Sequence, residues 1–354
     1  MARRYRILSV LSLIVFLLVF SVETQVFADD GSDIVATSLV MAQSRMYRSV
    51  YQQIAREWAS DCPDHPVMGR NVSGQAPRPY RTAWMNFVGR GEQYASGYFG
   101  ENYLLQSYGV QVGFSLLSDC RNSFGITYGR EESKLGNFSD TVRGEDNYLG
   151  LYYGRAFVTD IDFRGYVGGG WQKNRLTRNS GGNAYHTHYG GNTFNIDAEI
   201  GRRFLTERLW TLRPFIGLDL AHAGIGRSTE VCSSDPNSNE YQSYDRATLT
   251  QFLSRIGFEV GKGWRRFDVN SGFHFAWNWA DTNPAVKVYY PTGDAAMSRA
   301  ASIGRFALVL DVGVNWYITP ERNTMFYLNY VGDINLDRHG TGGNTGYVGF
   351  MWKF

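Results

Sequence analysis

The stretch Asn344–Phe354, NTGYVGFMWKF, decides the fold. Its apolar and aromatic residues Val348, Phe350, Trp352 and Phe354 occupy alternate positions, and a period of two is typical of a β-strand. An aromatic chain end gains nothing in water, whereas in an outer-membrane barrel this face contacts lipid and its last ring lies in the aromatic girdle. The stretch therefore favours a membrane barrel over its alternative, an edge strand of a soluble sandwich.

The same alternation runs through most of the chain from residue 82 onward. One face of a later strand carries Phe273, Phe275 and Trp277, and the other carries His274 and Asn278. The pattern predicts about twelve strands, at 82–94, 104–118, 122–135, 145–158, 161–175, 190–204, 209–223, 247–261, 264–280, 303–318, 323–335 and 344–354. Most of them reach the roughly 9–11 residues that a tilted membrane strand needs.

The predicted connections alternate between short and long. The short ones are 119–121, 159–160, 205–208, 262–263 and 319–322. The long, polar ones are 95–103, 136–144, 176–189, 224–246, 281–302 and 336–343. Short periplasmic turns and long outer loops are typical of outer-membrane barrels. The fold class is therefore predicted to be all-β, a transmembrane antiparallel barrel spanning residues 82–354.

The N-terminal residues form a separate segment. Three arginines within the first six residues precede an apolar run at 7–20, and small residues follow at the end of Val26–Ala28. These features predict a secretory signal peptide over 1–28, cut between Ala28 and Asp29. The alternative, an uncleaved anchor helix, is short for a membrane span.

Residues 29–60 are predicted to form a helix. Apolar residues recur there at spacings of three and four, at Val35, Leu39, Ala42, Met46, Val50, Ile54 and Trp58. About 27 residues give roughly 40 Å of helix, which exceeds the hydrocarbon core of a membrane. Proline and glycine make 61–81 an irregular linker on the periplasmic side. The apolar stripe alone also fits a coiled coil or a peripheral helix.

Charge and cysteines restrict the function and the compartment. Without residues 1–28 the chain has 32 basic and 32 acidic residues, since three arginines and one glutamate are lost from 35 and 33. This balance argues against nucleic acid as a partner.

The cysteines predict one disulfide. Export permits disulfides. The predicted topology places Cys62 and Cys120 near the same rim and Cys232 in the longest outer loop, so we expect a Cys62–Cys120 disulfide.

Catalytic and metal sites are not expected, and no cofactor is predicted. The six histidines are scattered, and none lies in a nucleophile motif. His274 alternates with lumenal Asp268 and Asn270, which predicts a hydrogen-bonding role in the lumen rather than a general base. His186 and His188 share one face of a strand extension, but no cysteine or carboxylate is clearly placed to complete a metal site.

Four stretches resemble the translocator β-domain of bacterial autotransporters, the type V secretion barrel of twelve strands with a helix in its pore. They are Ala83–Gly91, Ser107–Phe114, Trp210–Leu218 and Val348–Phe354, and their order and spacing carry the resemblance. The resemblance implies that the helix lies in the pore, where Arg45, Arg48 and Arg56 are expected to pair with lumenal carboxylates.

The departures from that family pattern set the functional expectation. Few residues separate Ala28 from the helix, so no passenger is evident, and the linker has no Asn-Asn pair, so autoproteolysis is not predicted. We expect a non-enzymatic outer-membrane barrel that acts as a plugged pore, an anchor or a display of surface loops. The alternatives are a translocator for a separate or lost cargo and, less favoured, an outer-membrane hydrolase.

The predicted partners follow from the membrane location. They are outer-membrane lipid, periplasmic chaperones and the barrel-assembly machinery, for which Phe350, Trp352 and Phe354 are the expected assembly signal. No nucleic acid is expected, and the sequence leaves the oligomeric state open.

Overall fold

The computed structural model describes residues 33–41, 46–61, 80–95, 102–119, 121–137, 140–157, 160–233, 240–280, 284–300, 304–319, 322–336 and 342–354. Twelve long strands dominate these residues: β1 (Tyr80–Ala95), β2 (Asn102–Ser118), β3 (Asn122–Gly136), β4 (Thr141–Ala156), β5 (Ile161–Ser180), β6 (Asn183–Arg202), β8 (Trp210–Ile225), β12 (Ala247–Gly263), β13 (Phe267–Asn278), β16 (Phe306–Tyr317), β17 (Thr324–Asn335) and β18 (Gly342–Lys353). The predicted all-β class and strand number are confirmed.

The strands close into an antiparallel ring. Each pairs with its neighbour along the chain, and β18 returns to β1 over the register Thr82↔Lys353 to Gln93↔Gly342. Beyond this ladder, Arg81 and Phe354 exchange two backbone hydrogen bonds of 3.1 and 3.0 Å. The last strand therefore closes the barrel against β1, with Trp84 opposite Met351. Closure leaves the barrel sheet without a long free edge.

The two faces of the barrel wall have opposite chemistry. Outward side chains such as Phe87, Ile216 and Ile256 are 54%, 57% and 62% exposed. Inward side chains such as Asn86 and Arg213 are buried. An apolar outer face with a polar interior is the arrangement of a barrel in lipid.

Six shorter strands lie at the two ends of the barrel. At the end of the long connections, β9 (Ser228–Thr229), β11 (Ser243–Tyr244), β14 (Ala285–Tyr289) and β15 (Ala295–Arg299) form a separate four-stranded sheet. There too β10 (Val231–Cys232) pairs with β6, while β7 (Phe204–Leu205) pairs with β8 at the opposite end. We call the four-stranded sheet the lid sheet.

The structure corrects one predicted connection. The predicted loop 176–189 is wrong, because β5 and β6 continue through it and turn at Gly181 and Gly182, whose φ angles are 57° and 82°. Within the helix predicted over 29–60, the structure describes two helical segments, α1 (Asp33–Met41) and α2 (Met46–Asp61). Residues 42–45 lie outside the described residues. Neither described helix is long and apolar enough to cross a membrane.

Candidate functional site in the barrel lumen

Helix α2 is attached to one side of the lumen through the carboxylate of Glu57. Five hydroxyl groups of the barrel wall donate hydrogen bonds to it, from Thr82 at 2.7 Å, Ser118 at 3.2 Å, Tyr152 at 3.4 Å, Ser115 and Ser123. Glu57 is fully buried. Hydrogen bonds to a charged acceptor are the strong ones in proteins. Glu57 therefore fixes the lower part of α2 against β1 to β4.

The opposite side of α2 contacts a network of buried charges. Arg213 binds Asp162 at 2.7 Å and Glu199 at 2.6 Å, and Arg255 binds Asp197 at 2.6 Å. Two contacts join this network to the helix. Tyr51 donates a 3.2 Å hydrogen bond to the carbonyl of Arg164, and the Arg203 guanidinium lies 4.3 Å from the ring centre of Trp58.

The helix arginines differ in their partners. Arg48 forms the expected ion pair, 2.8 Å from Asp333. Arg56 does not follow the prediction, because its Nε donates to the amide oxygen of Asn315 at 3.1 Å and its guanidinium lies 3.6 Å from the ring centre of Tyr327. The predicted pairing of Arg45 falls outside the described residues.

Helix α1 lies at the end of the long connections, inside an apolar cluster. Ile34, Val35 and Leu39 are fully buried there. Around them pack strand-end residues and the lid sheet, namely Tyr94, Tyr103, Leu105, Leu135, Val142, Leu176, Tyr189, Ala223, Ile225, Tyr244, Ala247, Leu249, Val286, Val288 and Ala300. Tyr189 also donates a 2.8 Å hydrogen bond to Ser38. We call this group the outer seal.

A buried ion pair connects the lid sheet to the barrel. Arg178 binds Glu230 through Nε at 2.9 Å and Nη2 at 2.7 Å. Tyr244 donates to the same carboxylate at 2.7 Å, and the backbone of Gln242 at 2.9 Å. Burial, with a further contribution from Glu230, raises the pKa of Tyr244 well above its usual range. The phenol therefore stays a hydrogen-bond donor, and the pair holds the lid sheet on the wall.

A cavity of about 820 Å³ remains beside α2. It lies between the helix and β8, β12, β13 and β16, and it reaches the short connections at Leu209, Trp264 and Arg322. None of its described lining residues belongs to α1 or to the lid sheet. The cavity therefore opens towards the end of the barrel that carries Phe354, below the outer seal.

The sites predicted from the sequence are distributed as follows. Trp352 and Phe354 are about half exposed on the outer face, and the ring of Phe350 lies 5.3 Å from that of Phe326. Ala28, Asp29, Cys62 and Cys120 lie outside the described residues, so the cleavage site and the disulfide stay predictions. Cys232 is buried.

The histidines lie where the alternation places them. His274 is buried in the lumen, with its ring in edge contact with Phe215 at 5.9 Å. His186 bonds Thr177 at 3.1 Å, above the outer rim of the wall. Within the described part of the chain, no three His, Cys, Asp or Glu side chains are grouped to hold a metal ion.

The chain matches known proteins over most of its length. The family model of the autotransporter beta-domain matches residues 83–331. No curated protein sequence matches.

Solved structures share the fold at low sequence identity. The translocator domain of the autotransporter NalP from Neisseria meningitidis is 14% identical, with 93% of this chain and 100% of that one covered and a TM-score of 0.68. The beta domain of the Bordetella autotransporter BrkA is 14% identical, with 78% and 100% covered and a TM-score of 0.54. The transport unit of AIDA-I from Escherichia coli is 13% identical, with 88% and 100% covered and a TM-score of 0.54.

Proposed function

The chain belongs to the autotransporter β-domain family of outer-membrane barrels, and we propose that its own barrel is a plugged pore held shut by its lumenal helices. The outer seal is the observation that carries this proposal. Ile34, Val35 and Leu39 fill the space between the strand ends and are fully buried. Apolar side chains packed at the density of a protein interior exclude water and ions.

The helix attachments support the same proposal. Glu57, Arg48 and Ser38 each bond the barrel wall, at the lower, middle and upper part of the lumen respectively. The two helices, held at three heights, do not slide without breaking several bonds together. Translocator barrels are generally non-enzymatic, and we propose no catalytic role for this one.

Permeability of intact cells tests the plug. The matched pair is the full chain and a variant that lacks residues 33–61, both produced in one outer-membrane host. We expect only the deletion variant to sensitise cells to a bulky hydrophilic antibiotic that outer membranes exclude. Equal sensitivity at equal amounts of folded barrel contradicts the proposal.

The second candidate function is translocation of a segment joined to the N-terminal end of α1. It is favoured by the direction of the chain, because α1 begins in the outer seal and α2 ends beside Ser118 and Ser123 near the short connections. The N-terminal end of α1 therefore lies at the outer end of the lumen. An epitope inserted immediately before Asp33 tests this, since antibody labelling of intact cells requires that the segment has crossed the membrane. Labelling only after cell lysis contradicts it.

Assembly follows the route of the family in this proposal. Autotransporter barrels in general depend on the barrel-assembly machinery. We propose that this chain is recognised through Phe350 and Trp352 on β18 and through Phe354 just beyond it, because these three side chains face outward.

A further inference from the structure

Arg56 is a buried cation in an unusual environment. Its side chain is 3% exposed. Its Nε is bonded to Asn315 and its face is covered by Tyr327, but both of these partners are neutral. Among the described residues no carboxylate lies within ion-pair distance of Arg56, and its buried Nη1 has no hydrogen-bond partner.

The neighbouring buried arginines show what Arg56 lacks. Arg213 contacts both Asp162 and Glu199, and Arg255 contacts Asp197. Burying a charge without a counter-charge is costly, which is why buried ions in proteins are normally paired. Arg56 therefore lies in a position where an anion supplied from outside the chain gains the full attraction of the guanidinium.

The cavity beside α2 has the dimensions of a ligand site. Arg56 is among its lining residues. Its volume of about 820 Å³ falls within the range of small-molecule sites. We call it the vestibule, because its described lining reaches the short connections and includes no residue of the outer seal.

The walls of the cavity combine an apolar part with many polar and charged side chains. Trp58, Phe215, Val309 and Val331 contribute to the apolar part. Among the charged lining residues, nine arginines and lysines outnumber four acidic residues. The polar part includes His274, whose buried Nε2 has no partner among the described residues. Apolar surface beside an excess of positive charge suits an organic anion with an apolar body.

We propose that this vestibule binds a small organic anion with an apolar body, whose carboxylate pairs with Arg56. The carboxylate accepts hydrogen bonds from the guanidinium, and the apolar body packs against the apolar part of the cavity wall. The ligand enters from the periplasmic side. This inference goes beyond the plug, because closing the pore requires no ligand.

Titration of the purified full-length protein with 2-naphthoate tests the site. The uncharged 2-naphthamide, which has the same ring system, is the matched ligand control. Isothermal titration calorimetry in one detergent holds micelle partitioning constant between protein variants. We expect saturable binding of 2-naphthoate and at least about tenfold weaker binding of the amide, since only the carboxylate accepts charge-assisted hydrogen bonds from the guanidinium.

Two substitutions locate the binding in the cavity. Arg56→Met removes the charge and keeps an unbranched side chain, and we expect it to weaken 2-naphthoate binding about tenfold or more. Ala55→Phe keeps Arg56 but fills the vestibule from the same helix face, since Ala55 also lines it. We expect it to abolish binding. Ala55→Phe tests the site without changing Arg56, so the proposal stays falsifiable if Arg56→Met fails to fold.

Arg227→Met is the control variant. Arg227 is 74% exposed in an outer connection, so the substitution removes one positive charge away from the cavity. Heat-dependent migration in gels verifies that each barrel is folded. Unchanged affinity in folded Arg56→Met or Ala55→Phe overturns the proposal, as does the absence of saturable 2-naphthoate binding by the natural chain. If the natural chain binds 2-naphthoate but forms an open pore, this inference holds and only the proposed plug is contradicted.

Discussion

Thr82 of the first barrel strand donates a 2.7 Å hydrogen bond to Glu57 of the lumenal helix. The two residues are separated in sequence by the linker, so this bond joins the two ends of that segment inside the barrel. Ser115, Ser118 and Ser123 add donors to the same carboxylate from β2 and β3. Glu57 is thus the point at which the helix is fixed to the wall.

Replacing Glu57 should loosen the helix. Glu57→Ala leaves several buried hydroxyls without their acceptor, and we expect a loss of roughly 1.5–3 kcal/mol in helix docking for each charged hydrogen bond that is not replaced by water. Protease cleavage within α2 of the folded barrel measures the change. Glu145→Gln is the control, because Glu145 is 57% exposed. Equal cleavage in both variants contradicts the role given to Glu57.

Breaking the lid pair should expose the outer seal. Arg178→Met leaves Glu230 buried without its cation, which costs about 3–5 kcal/mol for a buried pair. We expect faster protease cleavage in the outer connection that carries Gln242 and Tyr244. Arg130→Met removes an exposed pair with Glu145, worth about 0–1 kcal/mol. Similar cleavage rates for the two variants argue against a role of the Arg178–Glu230 pair in holding the lid sheet on the wall.

Removal of Phe354 should reduce assembly more than stability. Its ring is 51% exposed on the outer face, but its backbone exchanges two hydrogen bonds with Arg81. We expect a several-fold drop in outer-membrane level, with little change in the unfolding midpoint of barrels that do assemble. Trp316→Ala, another exposed outward aromatic, is the control for lost lipid contact. A normal level of the truncated chain rules out the assembly signal.

The disulfide prediction is tested by mass spectrometry. Peptides of the unreduced exported protein should contain a Cys62–Cys120 link. Cys232→Ser should leave that link in place, because Cys232 is buried beside the outer rim. Unlinked Cys62 and Cys120 peptides in the unreduced protein exclude the bridge.

The part of the fold that faces lipid could be predicted from the sequence, because lipid restricts which residues the wall can expose. Lipid requires an apolar residue at each outward position, and the lumen requires polar ones, so the period of two is clear wherever a strand crosses the membrane. Above the membrane the outward face of β5 and β6 meets water and carries polar residues, while inward Leu176, Arg178 and Tyr185 are buried. The apolar-out, polar-in alternation that marks a membrane strand is therefore lost there. For this reason residues 176–189 read as a loop although they form a hairpin.

The contacts in the lumen were less predictable than the wall. Arg48 and Arg56 share one helix face, yet Arg48 meets Asp333 while Arg56 meets Asn315 and Tyr327. The rotation of α2 and the register of β16 and β17 decide these partners, and neither is encoded in local spacing. The sequence does not single out the hydroxyls around Glu57 either, since serine and threonine occur at inward positions of several strands.

The conductance of single barrels in a planar bilayer tests the plug most directly. The full chain and the variant without residues 33–61 are inserted in parallel, with Glu145→Gln as a control for substitution itself. We predict that the full chain and the control stay closed and that the deletion variant opens a stable, ion-conducting pore. Equal conductance of the full chain and the deletion variant would contradict the account.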